Sequence, residues 1–503
     1  MRPVTLGIDV GTTSVKALLL DESGRVAAVA SHEHGIVRRA GVVEADPEQW
    51  WASTCAAIRR LTETADGLLG QVAAVGLTGN MSSVVLLDGR YAALGHAPLL
   101  ADNRGERQLA ALPAGVRELI FTRTRNQPAT AFSLATLLYL RDEAAGLLDR
   151  AHAWVSAKDY VRLRLTGAVG TDLTDAYNSL LIAADGHDWD PELIGAAGLP
   201  KRIFPPLLAS AAPAGVVTGP AAARTGLPAG VPVITGAGDI AAGALGAGTT
   251  DPGDVLISLG TSVTTLAPVD ECGGTGWLGR LTYHPSASGS SGLALASLLT
   301  GGLALNWLRA VLGDTVLGEG ALATDLGDPL DSGDPLIFLP HLAGTGSPAF
   351  LPHVQGSLVG LRPSTTQADI VRALFEAIGF EVAEALTLLG SADSGGGIQV
   401  SGGGTRLPAW VQTITDVLGR PVTVGADPDV SAIGAARLAW AGLTGTPAPR
   451  DRVAAETRYE PVAERAGPLR ARAGRYRQAR DFMARYYKDS RAYKDSRAGN
   501  ATP

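Results

Sequence analysis

The sequence contains one local pattern twice, about half a chain apart: two apolar, strand-like runs joined by a short turn of glycine, threonine and serine. The first copy covers residues 4–20 and turns at Gly11-Thr12-Thr13-Ser14, and the second covers residues 255–263 and turns at Gly260-Thr261-Ser262. Before the first turn, apolar and small or polar residues alternate with the period of a strand that has one buried face. The repeat predicts two homologous halves, each opening with a β-hairpin.

The length of the chain also favours two large domains. A chain of 503 residues is too long for a single compact core. We place the boundary at Asp251-Pro252-Gly253-Asp254, which predicts an N-terminal domain of residues 1–250 and a C-terminal domain of residues 251–450. Residues 451–503 form an extension that ends in two copies of Tyr-Lys-Asp-Ser-Arg-Ala, and we interpret it as a tail without catalytic content.

The two turns are candidate anion sites. Successive backbone N–H groups and hydroxyls in such turns form concave sites for phosphate, although either turn alone is more typical of an ordinary β-turn. As a pair they predict that the phosphates of one nucleotide are held from both sides. The predicted nucleotide-binding residues of the turns are Gly11, Thr12, Thr13, Ser14, Gly260, Thr261 and Ser262. Lys16 either adds a positive charge there or is a solvated strand residue.

Two aspartates are candidates for the chemistry. Asp9 precedes the first turn, where a carboxylate beside a triphosphate is expected to hold Mg²⁺; the alternative is an Asp that accepts turn amides. Asp239 stands where a strand passes into a helix. It can cap that helix, accept the proton of a substrate hydroxyl, or do both. We also assign Asp239, with Asp9, to the predicted metal site.

The sequence bears on three other kinds of nucleotide motif. Gly236, Gly238 and Ala241 match a relaxed dinucleotide-binding fingerprint, which allows an NAD site. In a chain rich in glycine and alanine, however, such matches are frequent by chance. No Gly-Lys dipeptide occurs, which excludes a Walker A loop. The glycine turn Gly402-Gly403-Gly404 would allow adenine to approach the backbone closely.

Composition excludes several other classes. A net charge of -7 with scattered Lys and Arg gives no support for a nucleic-acid surface. Cys55 and Cys272 are far apart, which argues against disulfides or a cysteine-rich zinc site and favours a reducing cytoplasm. Residues 285–308 carry no Asp, Glu, Lys or Arg and are long enough to cross a bilayer, but their serines and glycines favour an irregular loop leading into a buried helix. We therefore predict no membrane partner.

The combined motifs resemble a known superfamily. Residues 9–14, 259–262 and 401–404 are similar to the two phosphate motifs and the adenosine motif of the sugar kinase, Hsp70 and actin superfamily. Residues 356–361, followed by Asp369-Ile370 and by residues 373–376, resemble the C-terminal signature of the FGGY carbohydrate kinases, and the resemblance covers roughly residues 4–445. Within that family the chain is most similar to the xylulokinase branch.

The resemblance implies an α/β fold of two ribonuclease H-like, actin-like ATPase domains with a nucleotide cleft between them. It implies ATP and Mg²⁺ as cofactors, a sugar or polyol as the acceptor, and Asp239 as the catalytic base. Phosphates would lie across both hairpin turns, and adenosine beside Gly402, Gly403 and Gly404. The substrate-binding residues that it implies are Met81, Ser82, Asp102 and Asp239. A homodimer is possible.

The sequence departs from the xylulokinase pattern at the sugar site. Ser82 stands where an imidazole usually contacts the ketose, Leu100 replaces a Trp, and Ile240 replaces the Asn that usually follows the catalytic Asp. A site built to bind hydroxyls discriminates steeply between substrates. We predict an ATP-dependent kinase of D-xylulose or a related ketopentose. The alternatives are a kinase of another polyol or aldonate (gluconate, ribulose or a tetritol) and a non-catalytic, nucleotide-dependent sugar-binding protein.

Overall fold

The computed structural model describes residues 3–65, 67–270, 276–289, 291–313, 336–351, 354–392, 394–425, 429–448 and 457–499, with side chains as far as residue 488. Cys272, the side chains of the second Tyr-Lys-Asp-Ser-Arg-Ala copy and those of residues 489–492 in the first copy lie outside this description. Cys55 is a buried free thiol. None of the described helices is long and apolar enough to cross a bilayer.

The structure contains strands and helices in both halves of the chain. The strands of the first half are β1 (Val4–Val10), β2 (Ser14–Leu20), β3 (Val26–Glu33), β4 (Val37–Arg39), β5 (Val42–Ala45), β6 (Val72–Gly79), β7 (Val85–Leu87), β8 (Ala97–Pro98), β9 (Ala153–Val155), β10 (Thr171–Asp172), β11 (Leu207–Leu208), β12 (Pro213–Val216), β13 (Pro232–Ile234) and β14 (Ala237–Gly238). Those of the second half are β15 (Val255–Leu259), β16 (Val263–Val269), β17 (Thr282–Pro285), β18 (Gly292–Leu298), β19 (Ile337–Leu339), β20 (Ser357–Val359), β21 (Ile398–Ser401), β22 (Val422–Val424) and β23 (Thr457–Tyr459). The α-helices are α1 (Pro47–Thr64), α2 (Glu106–Ala110), α3 (Ala114–Thr124), α4 (Ser133–Glu143), α5 (Ala145–Arg150), α6 (Ala157–Thr166), α7 (Leu173–Ala176), α8 (Pro191–Ala196), α9 (Gly219–Thr225), α10 (Asp239–Ala247), α11 (Gly302–Leu312), α12 (Gln367–Leu388), α13 (Pro408–Leu418), α14 (Val430–Thr444) and α15 (Ala466–Gly499).

Two large sheets share one topology. In the first, the strand order is β12-β13-β6-β1-β2-β3, and in the second it is β17-β18-β16-β15-β21-β22-β23. In each sheet three neighbouring strands are antiparallel, two further strands run parallel to the first of them, and one antiparallel strand lies at the edge beyond these two; the second sheet adds β17, which is antiparallel to β18. Both predicted hairpins, β1–β2 and β15–β16, are confirmed, and the α/β fold class is as expected.

Two helices lie between the sheets. The side chains of α10 pack with those of the second sheet, including Leu256, Leu266 and Leu293. The other helix, α14, packs on strands β1, β2 and β6 of the first sheet, and the two helices contact each other along their lengths. Their packing is very close, since a Cβ placed on Gly434 would stand 1.8 Å from the carbonyl oxygen of Ala242. A helix from the C-terminal half of the sequence thus completes the core of the first sheet.

One local prediction was wrong. Residues 285–308 were expected to form an irregular loop leading into a buried helix; the helix forms as α11, but residues 292–298 of the expected loop are strand β18, which pairs with both β16 and β17. Two partner strands satisfy its backbone, which outweighs its content of serine and glycine. The helix that follows, α11, buries only one face and leaves Leu303, Trp307 and Val311 exposed.

Candidate active site

The carboxyl ends of three parallel strands bring the two predicted aspartates to one edge of the first sheet. Val10 on β1 is in register with Gly79 on β6, and Gly79 is in register with Gly238 on β14. Asp9 therefore lies one residue from this row on one strand, and Asp239 directly follows it on another. This edge is where open α/β sheets usually bind ligands.

The first turn closes as a tight hairpin. The N–H of Gly11 donates to the carbonyl oxygen of Ser14 at 3.0 Å, and the side-chain amide of Asn80 donates to the carbonyl oxygen of Val10 at 2.9 Å. Thr12 and Thr13 are exposed at the tip. The turn is thus fixed at its base from two strands, while its tip remains accessible to a ligand.

The second turn repeats this geometry with one residue fewer. The N–H of Gly260 donates to the carbonyl oxygen of Ser262 at 3.0 Å, and Thr261 and Ser262 are exposed. Backbone N–H groups at the start of α11 bind the turn from the other side: Gly302 donates to the oxygen of Gly260 at 2.8 Å, and Leu303 to that of Thr261 at 3.0 Å. The sequence repeat therefore corresponds to a structural repeat at the predicted phosphate motifs.

The glycine turn after β21 lies beside the second hairpin, because Ser401 on β21 is in register with Ser258 on β15. Gly402 has a φ of 89°, and a Cβ there would stand 2.7 Å from the oxygen of Leu259; a Cβ on Gly404 would stand 2.6 Å from the Cβ of Leu259. A Cβ on Gly403 would meet no atom within 4 Å. Packing on the hairpin thus requires Gly402 and Gly404, whereas Gly403 faces open space.

Lys16 is not a free, solvated side chain. Its Nζ forms an ion pair with the carboxylate of Asp429, the residue that precedes α14. Burial raises the pKa of Asp9 to about 6, with Lys16 opposing and Asp429 adding to the shift. The residue Asp429 was missed by sequence reasoning, because no local pattern places a residue from the far end of the chain beside the first hairpin.

Asp239 begins helix α10, with Gly238 in the N-cap position, so the predicted capping role of Asp239 was wrong. Burial, together with the negative charges of Asp9 and Asp175, raises the pKa of Asp239 to about 7, against the opposing effect of hydrogen bonds from the backbone N–H groups of Ile240 and Asp239. A carboxylate with a pKa near neutrality is suited to accept a proton.

A buried charge cluster lies behind Asp239. The ammonium group of Lys158 is 2.7 Å from the carboxylate of Asp159, 2.9 Å from that of Asp172 and 3.4 Å from that of Asp175, and all four residues are almost completely buried. Burial alone would lower the pKa of Lys158, but the three carboxylates raise it above its usual range. Burial and the two other carboxylates raise the pKa of Asp175 to about 7.

A relay of hydrogen bonds through Thr174 joins this cluster to β14, the strand that ends just before Asp239. The N–H of Gly238 donates to Oγ1 of Thr174 at 2.9 Å, and that hydroxyl donates to Asp172 at 2.6 Å. Asp172 in turn is paired with Lys158. The backbone just before Asp239 is therefore tied to a fully buried ion pair. Sequence reasoning missed Thr174 and Asp172.

Two of the residues predicted to bind the sugar, Met81 and Ser82, lie in a loop close to Asp239. A Cβ on Gly238 would stand 2.9 Å from Sδ of Met81, so Met81 packs directly on Gly238, the residue before Asp239. Ser82 is buried, has a φ of 66°, and donates its hydroxyl to the carbonyl oxygen of Ala131. The loop that carries Met81 and Ser82 thus adjoins the candidate base.

Asp102 has a different environment. Its two carboxylate oxygens accept hydrogen bonds from the guanidinium of Arg104 at 2.8–3.1 Å and from the N–H of Val43 at 3.0 Å, and Arg104 also pairs with Glu44 at 2.6 Å. Within the described ranges, no hydrogen bond or ion pair joins Asp102 to Met81, Ser82 or Asp239. The structure brings Met81, Ser82 and Asp239 together, and it does not connect Asp102 to them by such contacts.

The two hairpin turns, the carboxylates at one sheet edge and the duplicated sheet topology define a phosphotransferase with the two-domain fold of the actin-like ATPases. The chain belongs to the FGGY family of carbohydrate kinases: the model of the family's N-terminal domain matches residues 4–246, and that of its C-terminal domain matches residues 255–443. It is an ATP-dependent sugar kinase, with a small sugar as the second substrate.

Xylulose kinases of other organisms are similar to this chain over most of its length. The xylulose kinase of Streptomyces rubiginosus is 32% identical over 500 residues, which cover 97% of this chain and 96% of that protein. The xylulose kinase of Escherichia coli strain K12 is 30% identical over 444 residues, covering 86% and 89%. The crystal structure of xylulose kinase from Rhodospirillum rubrum matches with a TM-score of 0.85 at 29% identity, covering 96% of this chain and 100% of that one.

Proposed function

We propose that this kinase transfers the γ-phosphate of ATP to a hydroxyl of a ketopentose, with D-xylulose as the first candidate. The observation that carries the proposal is the strand register that places Asp9, Asp239 and the Met81–Ser82 loop at one sheet edge. The similarity to xylulose kinases over most of the chain supports the choice of sugar.

The proposed reaction uses Asp239 as the general base. Its carboxylate accepts the proton of the sugar hydroxyl as the hydroxyl oxygen bonds to the γ-phosphorus, and the bond from that phosphorus to the β,γ-bridging oxygen breaks to release ADP. A pKa of about 7 keeps a useful fraction of Asp239 deprotonated at neutral pH. The apolar side chain of Met81 packs on Gly238, and an apolar wall beside the base would favour the sugar hydroxyl over water as the acceptor.

Asp9 and Asp239 are the residues that would hold Mg²⁺. In kinase sites Mg²⁺ is usually bound by one or two carboxylates together with phosphate oxygens and water, so two carboxylates at one edge fit the ion. Within the described part of the chain, no group of three or more His, Cys, Asp or Glu side chains forms a complete metal site, which fits an ion that arrives with the nucleotide. When bound, Mg²⁺ neutralises charge on the phosphoryl oxygens.

The nucleotide is assigned to the duplicated turns. The exposed tips at Thr12-Thr13 and at Thr261-Ser262 would bind the phosphates, Lys16 would add a positive charge, and the turn at Gly403 would face adenine. The domain boundaries at residues 250 and 450, the cytoplasmic location and the homodimer predicted from the sequence stay predictions.

A second substrate class follows from one observation. Ser82 offers no imidazole to a ketose, and its hydroxyl already donates to Ala131. A polyol or an aldonate such as gluconate therefore remains the alternative acceptor. A nucleotide-dependent sugar-binding protein without transfer is the third possibility, and the shifted pKa of Asp239 argues against it.

The test is an ADP-release assay against pentuloses, hexuloses, pentitols, tetritols, glycerol and gluconate. We expect the highest kcat/KM with a ketopentose. Asp239→Asn should abolish transfer while ADP binding, measured by calorimetry, is retained; Asp149→Asn, at a carboxylate that is 81% exposed, is the matched control. Turnover by Asp239→Asn at the wild-type rate would refute the base assignment, and ATP turnover that no added sugar changes would refute the kinase.

A further inference from the structure

The side chain of Asn178 links the loop of Met81 and Ser82 to the segment that follows α7. Asn178 lies in the short turn after α7 and is 4% exposed. Its side-chain Nδ2 donates to the hydroxyl of Ser82, and its backbone carbonyl oxygen accepts from the hydroxyl of Ser133 at 3.3 Å. Neither the nucleotide assignment nor the proton transfer uses this side chain.

The hydrogen bonds fix which end of the amide faces Ser82. A serine hydroxyl has a single hydrogen, and that of Ser82 is donated to the carbonyl oxygen of Ala131, which can only accept. Ser82 can therefore only accept from Asn178, so Nδ2 must face it and Oδ1 must point away. The amide orientation follows from the network and not from the similar shapes of its two ends.

The outward atom remains available. Within the described part of the chain, Oδ1 of Asn178 accepts no hydrogen bond, and it is not among the enclosed side-chain atoms that lack a partner. It therefore retains contact with the surrounding space although the residue is otherwise buried. A buried amide with one satisfied end and one available acceptor is a typical group for reading a ligand hydroxyl.

The position of Asn178 relates this acceptor to the reacting centre. Two residues of the same segment contact the environment of the base: Thr174 binds the N–H of Gly238, and the charge of Asp175 raises the pKa of Asp239. On its other side Asn178 is bonded to the loop of Met81. The amide thus lies between the loop and the segment that together flank Asp239.

We propose that Asn178 is a specificity-determining residue, whose Oδ1 accepts a hydrogen bond from a hydroxyl of the sugar other than the one that is phosphorylated. Ser82 then acts as the positioning residue that orients the amide. This inference rests on the proposed function, because it assumes a polyhydroxylated acceptor at Asp239. It assigns the task of reading the sugar to the segment after α7.

The experiment compares wild type and Asn178→Ala on D-xylulose, L-xylulose, D-ribulose and xylitol. Loss of one neutral hydrogen bond corresponds to roughly a three- to tenfold change, and a site built around a hydroxyl loses more. We expect kcat/KM for the preferred sugar to fall about tenfold or more. For at least one of the other three, whose hydroxyl at the same position is oriented differently, kcat/KM should change less than about twofold. The KM for ATP should stay within about a factor of two, because no assigned nucleotide residue contacts Asn178.

Two further variants separate specificity from folding. Ser82→Gly removes the orienting hydroxyl without placing a Cβ at positive φ, and it should change the preference among the sugars in the same direction but less. Ser179→Ala, at the buried neighbouring residue whose hydroxyl bonds to Ala176 at 2.6 Å, should keep the wild-type preference. An equal loss on all four sugars, or an unchanged preference in folded Asn178→Ala that binds ADP, would overturn the inference alone. Wild-type inactivity on every sugar would overturn the proposed function together with it.

Discussion

Replacing Asp239 with Asn should make the ligand-free protein more stable at neutral pH while it removes activity. The reason is the raised pKa of this carboxyl, about 7 in the folded protein against an ordinary 3.8. A carboxyl with a raised pKa binds more protons in the folded than in the unfolded state between these values. The free energy of unfolding therefore falls as pH rises from about 4 to about 7, which is the reverse of the usual behaviour of a paired aspartate.

The size of the effect follows from the shift. One pKa unit corresponds to about 1.4 kcal/mol, so a shift of about three units costs at most about 4 kcal/mol when Asp239 is fully ionised. Asp239 retains some solvent access, and solvent screening lowers this to about 1–3 kcal/mol. Asparagine keeps the shape of the side chain without the charge. The difference in stability between variant and wild type should be small at the acid end of the window and largest above about pH 7.

The assay is calorimetric unfolding of wild type and Asp239→Asn without nucleotide and with EDTA, at several pH values from about 5 to about 8. The melting temperature of the variant should exceed that of wild type by an amount that grows with pH. Asp149→Asn, at an exposed carboxylate, should show no such trend. A difference that is independent of pH, or a variant less stable than wild type at about pH 8, would refute the reasoning that burial and like charge raise the pKa.

Three other substitutions test separate parts of the site. Thr174→Val removes the acceptor of the Gly238 N–H and should lower kcat about tenfold with little change in the KM for ATP, whereas Thr174→Ser should restore it; equal loss in both would contradict the relay. Gly434→Ala places a Cβ 1.8 Å from a backbone oxygen and should destabilise by about 2 kcal/mol or more in thermal unfolding, unlike Gly474→Ala, where a Cβ meets nothing within 4 Å. Lys16→Met should raise the Kd for ADP about tenfold in calorimetry; an unchanged Kd would show that Lys16 serves only its ion pair.

The sequence was most informative where the structure depends on nearby residues. The hairpin turn at Gly11 and its counterpart at Gly260 follow from strand periodicity and turn residues, and both form as predicted. The capping box of α12 also has a local origin, because Thr366 and Asp369 are only three positions apart. In each case the partners are close in the chain, so a local pattern contains the whole interaction.

Local sequence patterns could not predict the tertiary contacts of the site residues. Asp429 reaches Lys16 from 413 residues away, and Asn178 reaches Ser82 from 96 residues away. Sequence reasoning singled out Ser82 but could not show that its hydroxyl is already used, because that depends on a tertiary partner. The pKa of Asp239 has the same origin: burial and the charges of other segments, not its own neighbours in the chain, set it.

Helix α14 explains why these distant contacts meet at the site. Close packing of its small residues on the first sheet, where a Cβ on Gly7 would stand 2.1 Å from the oxygen of Ala432, fixes the start of the helix. At that start Asp429 pairs with Lys16, and Ser431 donates to the backbone oxygen of Asp239 at 3.3 Å. One rigid helix end therefore contacts both the strand after the phosphate turn and the candidate base. The ionised carboxyl of Asp239 lowers the free energy of unfolding. Because core packing holds the start of α14 in place, the arrangement of the site can be kept in spite of this loss.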